Sequence, residues 1–546
     1  GGPLPPQYRS AGYPFRDLAV HALYLFEAFL GPIEHVHGDW KGLGGDPNLP
    51  FDEWRAQVRC RDGMGQFQLS WNVKPLQSQM IIQGTKGVLR ADLFLMFHAR
   101  RAALPIPKPA ERVINAFTDS IRPLFEVPLG IYRFLRGKVR PYHGLQELVG
   151  EFYHALDHQE PVPVSVADAV RVVRWTEQVA RAADREYQRR LEPLQLSEQV
   201  PVLVTGASGG LGSEVVRRLH AQGQRVRLFV RRPPDRILEN TEIAIGNLGD
   251  PAAVDRAVRG AKAVIHIGAA MKGGLAEHEC ATVVGTRNVL DACVKHNVER
   301  LVHISSMSVL DWACGPQDSI LSEASELEPR AEDRGHYTRA KLAAERLVVQ
   351  YHQEHNLPVV ILRPGQIFGG RIPLLTPAVA RRFGKRWIVL GSGDICLPLI
   401  HLDDVVSAIV LALQSDLRDA QIIQLIANDP PTQDQVLQLT LGSQAKIIHV
   451  PRPLVFLAGA CSEVMLKLLG RKSPLSCYRL SSALSRHRFQ SVASHMLPAW
   501  HPASDVCERI IEVARTAEQP AVHTGQPLPE QAHTLPDSFE PTAAQS

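Results

Sequence analysis

The sequence predicts an α/β protein in which a doubly wound parallel sheet follows an α+β domain with a large, mostly antiparallel open sheet. Three observations carry this. The 546 residues exceed what one hydrophobic core usually serves, so at least two domains are expected. From Pro201 to about Ala517, short apolar runs (PVLVTG, VRLFV, AVIHI, LVHIS, PVVILR) alternate with helical segments, the form of parallel strands joined by crossover helices. Ahead of them, alternating strands such as WRAQVRCRD and GQFQLSWNV mix with amphipathic helices.

The expected domains are residues 1–190, a linker at 191–199, the parallel-sheet domain with a small C-terminal substrate lobe at 200–517 and a flexible tail at 518–546. The first closes with VPVSVADAVRVVRWTEQVARAADREYQRRL, a long helix with an apolar stripe. The tail, EQPAVHTGQPLPEQAHTLPDSFEPTAAQS, is rich in Pro, Gln, Ser and Thr and has little apolar periodicity. The longest apolar run, PLVFLAGACSEVMLKLLG from Pro453, is broken by Glu463 and Lys467, so it reads as a buried or interfacial helix and not as a transmembrane segment.

A net charge of +4, with no long basic block, excludes nucleic acid as an expected partner. The eight cysteines contain no CxxC pair, which predicts neither metal site nor disulfide framework and fits reduced thiols in a cytoplasm. The chain starts GGPLPPQY without an initiator Met or a signal pattern, which reads as a processed chain or a fragment.

In PVLVTGASGGLGSEVVRRLHAQGQRVRLFV, strand, glycine turn, helix and strand succeed one another. This is the context in which a glycine pattern predicts dinucleotide binding. Gly206 permits the tight turn, Gly209 lets the backbone approach a pyrophosphate, and Gly212 lets the helix pack on the sheet. After the second strand, where an acid would accept hydrogen bonds from an NAD ribose, stand Arg231 and Arg232. Guanidinium groups there suit a 2′-phosphate, favouring NADP over NAD; two solvated arginines at an edge turn are the plainer alternative.

A strand ending in serines, LVHISSMSVL, precedes GHYTRAKLAAERL, in which Tyr337 and Lys341 share one helix face at i, i+4. A tyrosine hydroxyl, with an ordinary pKa of about 10, needs a nearby cation to transfer protons near neutrality, and Lys341 provides one. Ser306 would hydrogen-bond the oxygen that gains or loses charge during hydride transfer.

With TGASGGLG, GNLGD, AVIHIGAA, VVGTRNVLDAC, LVHISSMSV, YTRAK, ILRPGQIFG and LIHLDDVVSAI in order, residues 200 to about 515 resemble the extended short-chain dehydrogenase/reductases, the group of NAD-dependent epimerases and dehydratases. The resemblance implies a Rossmann-type domain, Tyr337 as acid/base, Lys341 as its partner and ribose anchor, and Ser306 as oxygen ligand with Ser305 as its neighbouring alternative. It also implies that Ser208, Asn247 and Ala269 lie against the cofactor. Departures are Asn247 where the family often has Asp, Thr282 where it commonly has Asn, and Leu397 and Pro398 where nucleotide-sugar epimerases carry an Arg for the diphosphate. The last favours a less charged ketone or alcohol.

The first block is similar to the C-terminal domain of Gfo/Idh/MocA oxidoreductases through its DLAVH helix, MIIQGTKGVLRAD and ELVGEFYHALDHQEPVPVSVADAVRVVRWTEQVARAA. That resemblance implies a sugar or polyol facing Asp17 and His21, four apart on one helix, with subunit contacts through the sheet of a homo-oligomer. No strand-glycine-helix unit precedes residue 200, so the block is not expected to bind NAD(P) unaided. The combined expectation is an NAD(P)-dependent oxidoreductase acting at a carbonyl or alcohol carbon of a small molecule. The alternatives are a nucleotide-sugar epimerase or dehydratase with retained NAD, and a non-catalytic dinucleotide-binding scaffold.

Overall fold

The structure is a computed structural model describing residues 10–43, 49–93, 97–137, 143–191, 196–232, 238–313, 318–384, 386–417, 419–442, 446–468, 473, 475–502 and 505–518. The tail expected from residue 518 therefore lies outside the described residues beyond its first position, as do residues 192–195 of the expected linker. Contacts divide the described chain into two units, one ending at Arg189 and the other beginning at Arg190.

In the first unit, α1 (Tyr13–Leu30) precedes the antiparallel strands β1 (Ile33–Lys41), β2 (Glu53–Cys60) and β3 (Gly63–Ser70). Along β2, Trp54, Ala56, Val58 and Cys60 are buried and Arg55, Gln57 and Arg59 are exposed, the period of two expected from WRAQVRCRD. Strands β4 (Gln79–Gly84), β5 (Gly87–Asp92) and β6 (Phe97–Ala102) form a second antiparallel sheet, followed by α2 (Lys108–Leu135), α3 (His143–His158) and α4 (Val166–Leu191). The antiparallel strands are thus two sheets of three and not one continuous sheet. The segment between β3 and β4 contains Pro75, which has no N–H to donate to a ladder. Phe15, Ala19 and Leu23, one turn apart on α1, close over Trp54 together with Val172, Val179 and Ala183 of α4.

The second unit begins with β7 (Val200–Thr205), α5 (Gly210–Ala221), β8 (Val226–Val230), β9 (Thr241–Ile245), α6 (Pro251–Val258) and β10 (Ala261–His266). It continues through α7 (Leu275–His278), a π-helical turn at Glu279–Val284, α8 (Gly285–Lys295), β11 (Arg300–Ile304), β12 (Ser319–Leu321), α9 (Ala331–Arg334), α10 (His336–His355) and β13 (Val359–Pro364). After these come β14 (Gln366–Phe368), β15 (Arg381–Phe383), β16 (Arg386–Leu390), β17 (Leu399–His401), α11 (Leu402–Gln414), β18 (Asp419–Leu425), α12 (Gln433–Leu441), β19 (Lys446–Val450) and α13 (Arg452–Leu468). The last elements are α14 (Cys477–Ala483), β20 (His487–Phe489), α15 (Ala493–Met496) and α16 (Val506–Glu518).

Seven strands make one parallel sheet in the order β18-β13-β11-β10-β7-β8-β9. Buried on both faces, these strands read as continuous apolar runs; Val359, Val360, Ile361 and Leu362 of β13 are all fully buried. One face packs on α5 and α11 and the other on α6, α8 and α10, giving two separate cores. The chain leaves β7 toward β8 and β9, then returns to place β10 on its other side. That reversal opens a crevice at the carboxyl ends of β7 and β10. No helix among the described residues is long and apolar enough to cross a membrane.

Candidate active site

The crevice floor is the turn between β7 and α5. Gly206 has φ +68°, a left-handed conformation, and a Cβ there would lie 2.8 Å from the Gly268 nitrogen, so this position requires glycine on both counts. A Cβ on Gly212 would meet the Gly206 carbonyl oxygen at 2.2 Å, which is the close helix-to-strand packing expected of the third glycine. Gly209 is the N-cap of α5 in extended conformation, with no side chain capping the helix and no acid in its first turn. Ser208 beside it is exposed. The N-terminus of α5 therefore presents partial positive charge that neither a side-chain cap nor a first-turn acid offsets, a fit for a pyrophosphate.

Around that turn, Thr205 Oγ1 lies 2.7 Å from His266 Nδ1 and accepts the Gly268 N–H, while His266 Nε2 lies 3.0 Å from Thr286 Oγ1. This buried chain ties the ends of β7 and β10 to α8. Burial lowers the His266 pKa to about 3, so the ring stays neutral and can both donate and accept within it. Ala269 follows β10, and the next N–H, that of Ala270, donates to Thr282 Oγ1 at 3.0 Å. Thr282 thus ties down the loop after β10. Asn247 Oδ1 accepts the Gly249 N–H at 2.9 Å, shaping the turn after β9. Arg231, exposed, and Arg232, half-buried, directly follow β8; residues 233–237 lie outside the described residues.

The chemistry-bearing side chains converge at the end of β11. Ser306 caps the short 3₁₀ turn Met307–Val309, accepting the Ser308 N–H at 3.1 Å, and its hydroxyl is near enough to that of Tyr337 to act on its titration. Burial raises the Tyr337 pKa, and Ser306 opposes the rise only in part, so the phenol is protonated at neutral pH. One turn along α10, Lys341 is 5% exposed and donates to the Ile304 carbonyl at 2.7 Å. Desolvation lowers its pKa to about 8, with Glu345 pulling it back upward.

Ser305, the alternative oxygen ligand, faces elsewhere: it is buried and donates to Glu345 at 2.5 Å. Glu345 also takes a bidentate grip from Arg363 at 2.6 and 3.0 Å, both side chains 2% exposed. Sequence reasoning missed this network, although Lys341 and Glu345 share the spacing that singled out Tyr337, and Arg363 sits within ILRPG. It also missed His278 of α7, a buried ring meeting Tyr337 edge-to-face at 6.3 Å between centroids. Only folding brings these together.

Leu397 is buried in the cluster with Phe368, Val379 and Leu399, and the Pro398 carbonyl accepts the Gln366 N–H at 2.7 Å. A diphosphate-clamping Arg has no counterpart at these two positions. In the first unit, Asp17 and His21 lie on the exposed face of α1, past its first turn.

Residues 202–425 match the NAD dependent epimerase/dehydratase family. A 2-alkyl-3-oxoalkanoate reductase of Shewanella oneidensis is 30% identical over 291 residues, covering 49% of this chain and 73% of that protein. The protein of that name from Stenotrophomonas maltophilia is 33% identical over 220 residues, 39% of this chain and 65% of its own. The decarboxylating sterol-4-α-carboxylate 3-dehydrogenase of Saccharomyces cerevisiae is 27% identical over 320 residues, 54% of this chain and 90% of its own.

Proposed function

Since the chain belongs to the NAD-dependent epimerase/dehydratase family, we propose that this NAD(P)-dependent oxidoreductase interconverts an apolar ketone and its secondary alcohol, with NADP(H) preferred. The observation that carries the reading is the convergence of Ser306 at the end of β11 with Tyr337 of α10, and with Lys341 buried one turn away on the Ile304 carbonyl. The glycine turn, Ser208, Asn247 and Ala269 would hold the dinucleotide, and Arg231 and Arg232 its 2′-phosphate. When bound, the nicotinamide supplies the hydride.

In the reductive direction Ser306 orients the substrate carbonyl, and Tyr337 gives its phenolic proton to the oxygen as that oxygen gains charge. The Lys341 cation then stabilises the phenolate until a proton returns from solvent. Buried Leu397 in place of a diphosphate ligand favours a substrate without a nucleotide, and relatives such as the Shewanella and yeast proteins act, by their names, on alkyl oxoalkanoates and sterol carboxylates. We also propose that the first unit is a Gfo/Idh/MocA-type domain, serving a sugar-like ligand at Asp17 and His21 or subunit contacts in a homo-oligomer. A cytoplasmic setting suits the seven described cysteines, all of them free.

Titration with NADPH and NADH, followed by nicotinamide fluorescence, tests the reading. Arg231→Ala is expected to weaken NADPH about tenfold and leave NADH unchanged, since one phosphate contact of this kind is worth about 1.4 kcal/mol. Copurified NAD that does not exchange, with no net redox turnover, would point to an epimerase instead.

A further inference from the structure

We propose that the outer face of the small lobe docks on an anionic lipid surface. The face is built from the three-stranded sheet β15-β16-β19 and from α13, which follows β19 through Pro451. Register decides which side chains share it. Arg381 pairs with Ile388 and Phe383 with Arg386, while Arg386, Ile388 and Leu390 pair with Lys446, Ile448 and Val450. Directly paired residues project to one side, so these form a single face, and the alternate residues Trp387, Val389 and Ile447 pack into the lobe core. At one end of the outer face, Leu390 and Val450 pack with Val455 and Phe456 of α13, which places the helix on the same side.

What remains uncovered is apolar and basic. Phe383 is 77% exposed at the tip of the β15-β16 hairpin. Along α13, Leu454, Leu457, Val464, Met465 and Leu468 are exposed at helical spacing, with Cys461 between them. Arg381, Arg386 and Lys446 are exposed on the strands, and no acidic residue occurs in any of the three. Glu463 on α13 turns inward and accepts the Cys477 N–H. A second copy of the chain meeting this face symmetrically would set these cations against one another. An anionic membrane surface accepts both components, taking Phe383 and the helix stripe into the interface and the cations at the headgroups. The inference is independent of the chemistry at Tyr337.

The test is sedimentation of the full chain with phosphatidylcholine–phosphatidylglycerol vesicles and with phosphatidylcholine alone. Expected are binding to the anionic vesicles that added salt weakens, and little to the neutral ones. Arg381→Glu with Arg386→Glu and Lys446→Glu should lower partitioning about tenfold or more, and Phe383→Ser with Leu457→Ser by a similar factor. Circular dichroism and the thermal transition of each variant establish that it is folded. The proposal is overturned if the parent chain ignores anionic vesicles, or if folded variants bind as well as it does. It is equally overturned if light scattering finds a dimer that Leu457→Asp dissociates, which would give the face to a second copy.

Discussion

Two helices of this chain carry the same spacing of ionisable side chains, and they end in opposite environments. On α10, Tyr337 and Lys341 stand four apart, with Lys341 buried and bonded to a strand carbonyl. On α1, Asp17 and His21 stand four apart and both are exposed. Spacing puts two side chains on one helix face but leaves open what that face meets. For α10 it meets the parallel sheet, where desolvation shifts both titrations and a continuous set of partners fixes both groups.

The comparison breaks most sharply at Tyr337. Tyr337→Phe should lower kcat about a thousandfold at unchanged cofactor affinity, the loss typical of a missing acid or base. Ketone turnover within a factor of two of the parent would remove α10 from the chemistry. Next in size, Glu345→Gln strips a carboxylate from the buried Arg363 and is expected to cost about 3 kcal/mol in urea unfolding. A change below about 0.5 kcal/mol would mean that the network holds nothing in place.

Lys341→Met separates catalysis from stability. Below pH 8 the folded protein must keep a buried ammonium whose pKa has fallen from 10.5 to about 8. Between those values the unfolded chain holds a proton that the folded one has released, so the parent gains stability as pH rises through that window. The variant should therefore be inactive, yet about 1–2 kcal/mol more stable at pH 7, after allowing for the lost bond to Ile304. Its advantage should shrink toward pH 10. A constant difference across that range would refute the depressed titration.

The smallest effects are expected on α1. Asp17→Asn and His21→Ala should alter stability by less than about 0.5 kcal/mol and leave ketone turnover unchanged, as for other exposed positions. A tenfold fall in turnover on either change would make the exposed pair a working part of the enzyme.

Much of the second unit was legible without coordinates because its signals are local. A glycine with positive φ, a helix that must touch a turn, and apolar runs buried on two faces each leave a mark in consecutive residues, as at Gly206, Gly212 and Val359–Leu362. The sequence put Ser306 forward with Ser305 as its neighbouring alternative; the backbone just after β11 turns the Ser306 hydroxyl toward Tyr337 and sends that of Ser305 to Glu345. Likewise the antiparallel character of the first unit was readable from alternation in WRAQVRCRD, but its division into two sheets depends on which strands pair.

The sequence by itself determined the order of elements, the glycine turn and the residue types able to move a proton, because each is set by backbone sterics or by chemistry within a few positions. Tertiary structure alone decided that His266, His278, Glu345 and Arg363 surround or support that chemistry, and that Phe383 shares a face with α13. Burial and electrostatics depend on groups distant in the chain, and their strength exists only after water has been excluded between them.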